Sequence, residues 1–390
     1  MNPEQTNPPS QRYARYTLAV LVLVYVLNFV DRNIITILAE DIKADLSISD
    51  AQLGFLQGTA FAVFYAIFGI PLGRLADVWN RRSLIAAGVA FWSLMTAVSG
   101  FSRTFGQLAT ARVGVGIGEA SATPAAYSMI TDLFPARLRA TVLAIYASGA
   151  AFGSGLGLVI GGQIVERLNQ AYPSGATPFD LAGWQVASLV VGLPGLIVAL
   201  WVRSLREPKR GAIDGIDSPS APDPFRQFLL ELRSIVPPFT IYHLWALGVG
   251  RRGILLNLAL GAFLAAAAGY LIQVTGGYAQ WLAIGFGFYA AGSWVQALGH
   301  RDRVSATLIL RGRALVAMCA GTAAFAFSGF GISTWTPVFF MRVHEQSSGD
   351  VGIWVGATAA SSMAGVMFGG WLADRMRLHR RAGRLYVGMA

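Results

Sequence analysis

Two pairs of opposite charges lie inside stretches that are otherwise apolar: Asp31 and Arg32 in LNFVDRNII, residues 27–35, and Arg112 and Glu119 in ATARVGVGIGEA, residues 109–120. A charge at the centre of a hydrocarbon layer costs about 2.5–3.5 kcal/mol on insertion scales, so four of them ask for a reason. A carboxyl loses and regains a proton, and burial penalises its charged form, which makes Asp31 and Glu119 candidate proton carriers. A guanidinium keeps its proton and presents a rigid fork of donors, so Arg32 and Arg112 hold whichever carboxylate is ionised, or meet a phosphate. The four His residues, 243, 300, 344 and 379, lie in or near polar segments, which leaves the carboxylates as the proton carriers inside the apolar spans. Sodium is the rival ion; the neighbouring arginines would repel it. The plain structural alternative is that Asp31 and Arg112 pair permanently and only fix helix packing.

Spacing predicts where these groups face. Arg112, Gly116, Glu119, Thr123 and Tyr127 recur at intervals of three and four and fall on one helical face. Tyr25, Asn28, Asp31 and Arg32 make a comparable stripe. Asp31 lies roughly 21 Å along its helix from Thr17, Arg112 at a similar depth on a helix running the other way, and Glu119 about 10 Å further in. Adjacent residues on a helix point about 100° apart, so Asp31 and Arg32 are poorly placed to pair with each other. Asp31 is expected to reach toward Arg112, and Arg32 toward Glu119 or an anionic headgroup, across one water-filled cavity. Tyr25, Asn28, Thr123 and Tyr127 would line it, with Phe325 and Trp335 from the aromatic, Gly- and Pro-containing stretch FAFSGFGISTWTPVFF as gate or wall. Ordinary lipid-facing aromatics are the alternative for that stretch.

The elements that carry these residues follow from composition. The chain has 390 residues, 54% hydrophobic and 13% charged, where a soluble domain carries about 25% charge. Apolar runs of about 20 residues, the length that crosses a bilayer, recur at 17–39, 52–72, 83–102, 107–130, 139–164, 182–202, 253–273, 279–299, 314–340 and 351–372. The fold class is an all-α polytopic membrane protein. The first run lacks a small-residue cleavage site and is expected to stay in the membrane. LYVGMA begins a further helix. With a cytoplasmic N-terminus, 24 of the 30 Lys and Arg fall on the inner side, so the +10 net charge expresses the positive-inside rule and points to anionic lipid headgroups, not nucleic acid. The single cysteine, Cys319, excludes a disulfide framework or thiolate cluster, and no metal site, nucleophile motif or phosphate-cradling loop speaks for an enzyme or a resident cofactor. Residues 204–250 form the one long polar connection. EPKRGAIDGIDSPSAPDP within it reads as a flexible linker, followed by FRQFLLELRSI, whose apolar stripe at Phe225, Phe228, Leu229, Leu232 and Ile235 suits a helix on the inner membrane surface.

The chain also repeats itself. GRLADVWNRR at 73–82 and GWLADRMRLHRR at 370–381 share Gly-x-Leu-Ala-Asp and a basic cluster, each after an apolar span, and SDAQLGFLQG at 49–58 is echoed by SGDVGIWVG at 348–356. Gly73, Asp77, Arg81, Arg82, Gly370 and Asp374 therefore form a candidate inner gate, a latch in which Gly permits close approach and Asp accepts from a helix start.

These two motifs resemble the inner-loop motif of the major facilitator superfamily; the first copy departs from it at Val78 and Asn80. The resemblance implies two pseudo-symmetric helix bundles: 1–203 as an N-terminal six-helix bundle, 204–250 as a linker, 251–300 as an extra helix pair between the halves, and 301–390 as the start of the C-terminal bundle, helices 9–12 being absent. The stretch GIGEASATPAAYSMITDLFPARLRATVLAIYASGAAFGSGLGLVIGG, residues 116–162, is similar to the Spinster branch through Gly118-Glu119, Pro124, Asp132 to Pro135, Arg139 and the glycines from Gly149 to Gly162. Ser154 stands where the superfamily's antiporter motif has Pro, so antiport does not follow. The resemblance implies proton-coupled alternating-access transport of an amphipathic lipid, a lysophospholipid or sphingosine-1-phosphate type. The expected setting is a monomer in a bacterial inner membrane with membrane lipids as partners. Other hydrophobic cargo on the same scaffold, or a non-coupled lipid conduit or receptor, are the competing readings.

Overall fold

A computed structural model describes residues 10–172, 180–215 and 223–379, with 383, 386 and 387. LYVGMA, Arg380, Arg381 and linker residues 216–222 lie wholly or partly outside these. Among the described residues every regular element is helical. In chain order they are α1 (Gln11–Ile37), α2 (Ala39–Leu46), α3 (Asp50–Gly54), a π turn (Phe55–Thr59), α4 (Ala60–Val78), α5 (Arg81–Ser99), α6 (Phe105–Glu119) and α7 (Ala122–Leu133). Then follow α8 (Arg139–Ala171), α9 (Gly183–Arg203), α10 (Pro224–Ile235), α11 (Phe239–Ala246), α12 (Arg251–Thr275), α13 (Tyr278–Arg301), α14 (Arg303–Arg311), α15 (Arg313–Val343) and α16 (Ser348–His379). Short polar side chains open several of them: Ser10, Asn80 and Thr104 accept from the first-turn amides of Tyr13, Ser83 and Gln107 at 3.3, 2.9 and 3.3 Å.

Among the described residues eight helical stretches are long and apolar enough to cross a membrane. The two other expected spans differ in kind. Residues 278–301 form one helix whose apolar run is diluted by Tyr278, Gln280, Tyr289 and Gln296. The span expected over 107–130 is instead two helices, broken at Ala120 and Ser121. Pro124 has no N–H to give the carbonyl of Ala120, and Ser121 Oγ turns back to the carbonyl of Gly118 at 2.8 Å, so the helix cannot run through.

Within the first bundle α1 packs along α8, α5 along α9 and α6, and α4 along α6. The glycine run of α8 makes two seams at once. A Cβ on Gly153 would stand 2.3 Å from the carbonyl of Val26 on α1, and one on Gly155 would stand 2.2 Å from that of Gly356 on α16. Spacing by four serves α1 and the offset positions serve α16, where the first bundle meets the second half. The repeat is structural too. Ser49 caps α3 by accepting from Gln52 N at 3.2 Å, and Ser347 caps α16 by accepting from Asp350 N at 3.1 Å.

The linker is not flexible where it leaves α9. Arg81, completely buried, donates to Glu207 Oε1 at 2.7 Å and to the carbonyl of Pro208 at 2.7 Å, and also to Asp132 at 2.5 Å. Arg82 reaches the carbonyl of Leu205, Arg210 donates to the carbonyls of Ala76 and Trp79, and Arg139 bonds Asp214. Residues 204–215 are therefore a strap over the ends of α4, α5 and α7. The Pro, Gly and Asp content reads as disorder, but the carboxylates and carbonyls are what three arginines need. The helix at 224–235 forms as the pattern predicts, yet it packs between α4 and α13, with Ile235 and Glu231 buried and only Phe225 and Leu229 of the stripe exposed. Replacing Glu207 by Ala removes one partner of a buried guanidinium, at a cost of about 1–3 kcal/mol. Limited trypsin digestion is expected to cut at Lys209 and Arg210 faster than in the unaltered chain.

Candidate functional site

The four charges come together between α1 and α6, which long side chains connect. Arg32 donates from Nε at 3.1 Å and from Nη2 at 2.7 Å to the same oxygen of Glu119, and its Nη2 also reaches Asn28 Oδ1 at 3.4 Å. Glu119 is fully buried. It is the last residue of α6, so the break that sequence periodicity missed sets its position. The guanidinium carbon of Arg32 stands 4.6, 4.4 and 5.1 Å from the ring centres of Phe29, Phe61 and Tyr65, within cation–π range of all three. The ion pair is thus held at the centre of an aromatic collar.

Asp31 and Arg112 meet differently from the expectation. Arg112 donates from its two Nη groups to the main-chain carbonyls of Asp31 and Arg32, both at 3.3 Å, and forms no ion pair with the Asp31 carboxylate among the described residues. The two side chains instead line a small cavity of about 20 Å³ between α1, α5, α6 and α9, together with Thr96, Ser99, Trp184 and Ser188. The single cavity expected for both stripes is therefore two environments. Because Asp31 and Arg32 point about 100° apart, one turns into the bundle interior and the other toward α4 and the aromatic collar. A wider groove of about 550 Å³ between α5 and α6, lined by Val98, Phe101 and Gln107 among others, touches none of the four charges.

Of the expected cavity residues, Tyr25 stacks on Tyr146 at 4.3 Å, Asn28 is buried beside Arg32, and Tyr127 meets Tyr146 edge-on at 5.5 Å and is 40% exposed. Thr123 is half-buried on the same helix as Tyr127. Gly116 belongs to packing instead: a Cβ there would stand 2.6 Å from the carbonyl of Phe61. Phe325 is 81% exposed and is not brought to the charges, and Trp335 lies over Gly54 near the far end of α15. Phe29, Phe61, Tyr65, Tyr146, Trp92 and Thr96 were missed. Phe29 lies three residues before Arg32, and Phe61 four before Tyr65, so helical spacing from the charge carried a usable signal.

The inner-gate motif divides between its two copies. Asp374 accepts from Thr141 N at 2.7 Å and Thr141 Oγ1 at 2.8 Å, capping the first turn of α8 across the two halves, and Gly370 lies against Ala144. Arg81 and Arg82 serve the strap and Asp132, while Asp77 is exposed and Gly73 has open space beside it. The first copy is therefore not a latch between halves among the described residues, because its arginines are consumed within its own bundle. At the opposite end Arg342, closing α15, bonds Glu40 at 2.8 Å and Asp50 at 2.7 Å, and Lys43 bonds Asp50 at 2.7 Å. Ser347 donates to Glu166 at 3.0 Å beside them.

Comparison with known proteins agrees with this architecture. The chain is 27% identical over 366 residues to an MFS-type efflux pump of Mycolicibacterium smegmatis, covering 94% of this chain and 63% of that protein. It is 37% identical over 204 residues to protein spinster homolog 1 of Rattus norvegicus, covering 51% of this chain and 36% of that one. The chain thus spans between about a third and somewhat under two-thirds of the length of these relatives. The crystal structure of a bacterial homolog to the human lysosomal transporter Spinster, inward-facing and occupied, matches with a TM-score of 0.50 at 25% identity, over 98% of this chain and 97% of that one. The family model for the Major Facilitator Superfamily matches residues 21–390, and with Spinster proteins among its relatives this multi-pass, membrane-embedded chain belongs to the Major Facilitator Superfamily.

Proposed function

We propose that the chain carries the proton-coupling half of a secondary transporter for an amphipathic lipid of the lysophospholipid or sphingosine-1-phosphate type. The observation that supports this reading is the buried Arg32–Glu119 ion pair inside its aromatic collar. A proton on Glu119 cancels the charge that holds Arg32. The freed guanidinium, already flanked by apolar rings, is then able to bind a phosphate headgroup while the rings take the start of the acyl chain. Loss of the proton restores the pair and expels the headgroup. Asp31 and Arg112 would set the position of α1 beneath this exchange. No cofactor takes part; protons are the coupling ion, and the setting is a bacterial inner membrane with the N-terminus in the cytoplasm.

A second cargo reading has its own support. The M. smegmatis relative is named an efflux pump, and an aromatic collar around a charge suits other hydrophobic molecules as well. Comparing lysophosphatidylcholine, sphingosine-1-phosphate and a cationic drug in a binding screen decides between them. A lipid phosphate that binds only when Glu119 is neutralised supports the first reading, and preferential binding of the cationic drug supports the second.

In proteoliposomes, Glu119→Gln and Asp31→Asn are each expected to cut transport driven by an imposed pH gradient by about tenfold or more, the loss of about 1.4 kcal/mol of coupling. Unchanged gradient dependence in both variants rules the proton switch out. Alternating access makes a separate demand on the Arg342 cluster. Exposed ion pairs contribute at most about 1 kcal/mol, so Arg342→Ala is expected to raise the population opened at that end by up to about fivefold. Thiol labelling at Ser347→Cys, in a background carrying Cys319→Ser, reads that population.

A further inference from the structure

The interior cavity beside Asp31 is small, polar on one side and surrounded by groups that lack partners. Asp31 Oδ1, Thr96 Oγ1, Trp92 Nε1 and Arg112 Nε are all buried and make no hydrogen bond among the described residues. Trp92 and Thr96 lie close enough to act on the Asp31 carboxyl, yet neither meets it in hydrogen-bonding geometry. Buried polar atoms are almost always satisfied, by protein or by ordered water. Three of them, on Asp31, Thr96 and Arg112, belong to residues that line the cavity, so together they mark a site and not separate defects. A volume of about 20 Å³ exceeds the ~10–15 Å³ that one water needs, and the site supplies the two to four polar partners that hold it.

We infer that this cavity is a specific single-water site in which the water bridges the Asp31 carboxyl, the Thr96 hydroxyl and Arg112 Nε. The bridge makes Asp31 and Arg112 a solvent-separated ion pair and leaves the two Nη groups of Arg112 on the carbonyls of Asp31 and Arg32. Every donor position of Arg112 that faces α1 then has a use. The charged groups around Asp31 are Arg112 and Glu119 on α6 and Arg32 on its own helix. Helices α5 and α9 present only neutral side chains to the cavity: Thr96, Ser99, Trp184 and Ser188. A cation is thus less suited than water, because Arg112 already supplies the positive charge.

The consequence is a coupling route separate from the cargo collar. Protonation of Asp31 removes the negative end of the water bridge and loosens the grip of Arg112 on the backbone that carries Arg32. Thr96 is a positioning residue in this scheme: it orients the water and does not carry the proton. The scheme rests on the proton-coupled reading, whereas the water site itself does not.

The test is X-ray radiolytic labelling of the reconstituted full chain, mixed briefly into ¹⁸O-water, combined with the pH profile of lysophosphatidylcholine transport. Expected in the unaltered chain is oxidation at the buried Trp92 and Trp184 that retains the ¹⁶O of slowly exchanging water. Thr96→Val should lower that yield at least about threefold and shift the transport pH midpoint by about half a unit to one unit, the worth of one neutral hydrogen bond. Ser188→Val, which intrudes on the cavity from α9, should lower the yield in the same way if Thr96→Val does not fold. Absence of such oxidation in the unaltered chain overturns the site. Full labelling and an unshifted midpoint in both variants overturn the bridge. Transport by the unaltered chain that is indifferent to pH overturns the coupling role while leaving the labelled water in place.

Discussion

The Arg32–Glu119 ion pair is the constraint around which the first bundle is built. Removing either partner leaves the other charge buried and unpaired, a defect of about 3–5 kcal/mol, so α1 and α6 cannot drift apart while both are ionised. The small residues that the sequence supplies let the neighbouring helices close in around the pair: Gly116 of α6 lies on the backbone of Phe61 in α4, and the glycines of α8 let α1 settle against α8. The helix break at Ala120 and Ser121 then places Glu119 at the C-terminal end of α6, where the helix dipole opposes a carboxylate. Its ionised form depends all the more on Arg32. One interaction thereby ties together packing, a helix break and a protonation-sensitive charge.

Placing Asp31 and Arg32 side by side separates two tasks over a single peptide bond. The 100° turn between them sends one carboxyl into the bundle interior against α5 and α9, and one guanidinium into an aromatic collar with α4. Arg112 reconnects the two by holding the carbonyls of both residues. A shift in α1 is felt in both environments, since the backbone of one is the backbone of the other. Side chains alone would not give this; it needs a donor fork wide enough to span consecutive carbonyls, which lysine lacks.

Much of this was readable in the residues. Charge cost singled out all four ionisable groups, helical geometry separated Asp31 from Arg32, and the paired Gly-x-Leu-Ala-Asp motifs marked equivalent helix ends. The failures have physical causes. Periodicity averages over a helix and does not see a local break, so the effect of Pro124 on Ala120 was lost. Aromatic residues are common in membrane spans for reasons unrelated to any site, which hid Phe61 and Tyr65 and lent false weight to Phe325. The pairing of Asp31 with Arg112 rests on depth and helical facing, and neither carries information on which nitrogen faces backbone and which faces a side chain. The strap at 204–215 has the composition of a loop, whereas its order comes from three arginines on other elements, Arg81, Arg82 and Arg139.

The two ends of the molecule are tied with unequal strength, and the seam between the halves determines what that permits. At one end Arg342, Lys43, Glu40 and Asp50 are all partly open to solvent, so their mutual attraction is screened and cheap to break. At the other, Asp374 is nine-tenths buried and bonded to both the amide and hydroxyl of Thr141. Between them α8 and α16 meet backbone to backbone, with Gly155, Gly162 and Gly352 so close to facing carbonyls that no Cβ fits. Such a seam has no slack for sliding, because displacement by one residue drives a side chain into a carbonyl. Relative motion of the halves is therefore expected to turn about the seam and not shear along it, opening first at the end tied mainly by exposed ion pairs.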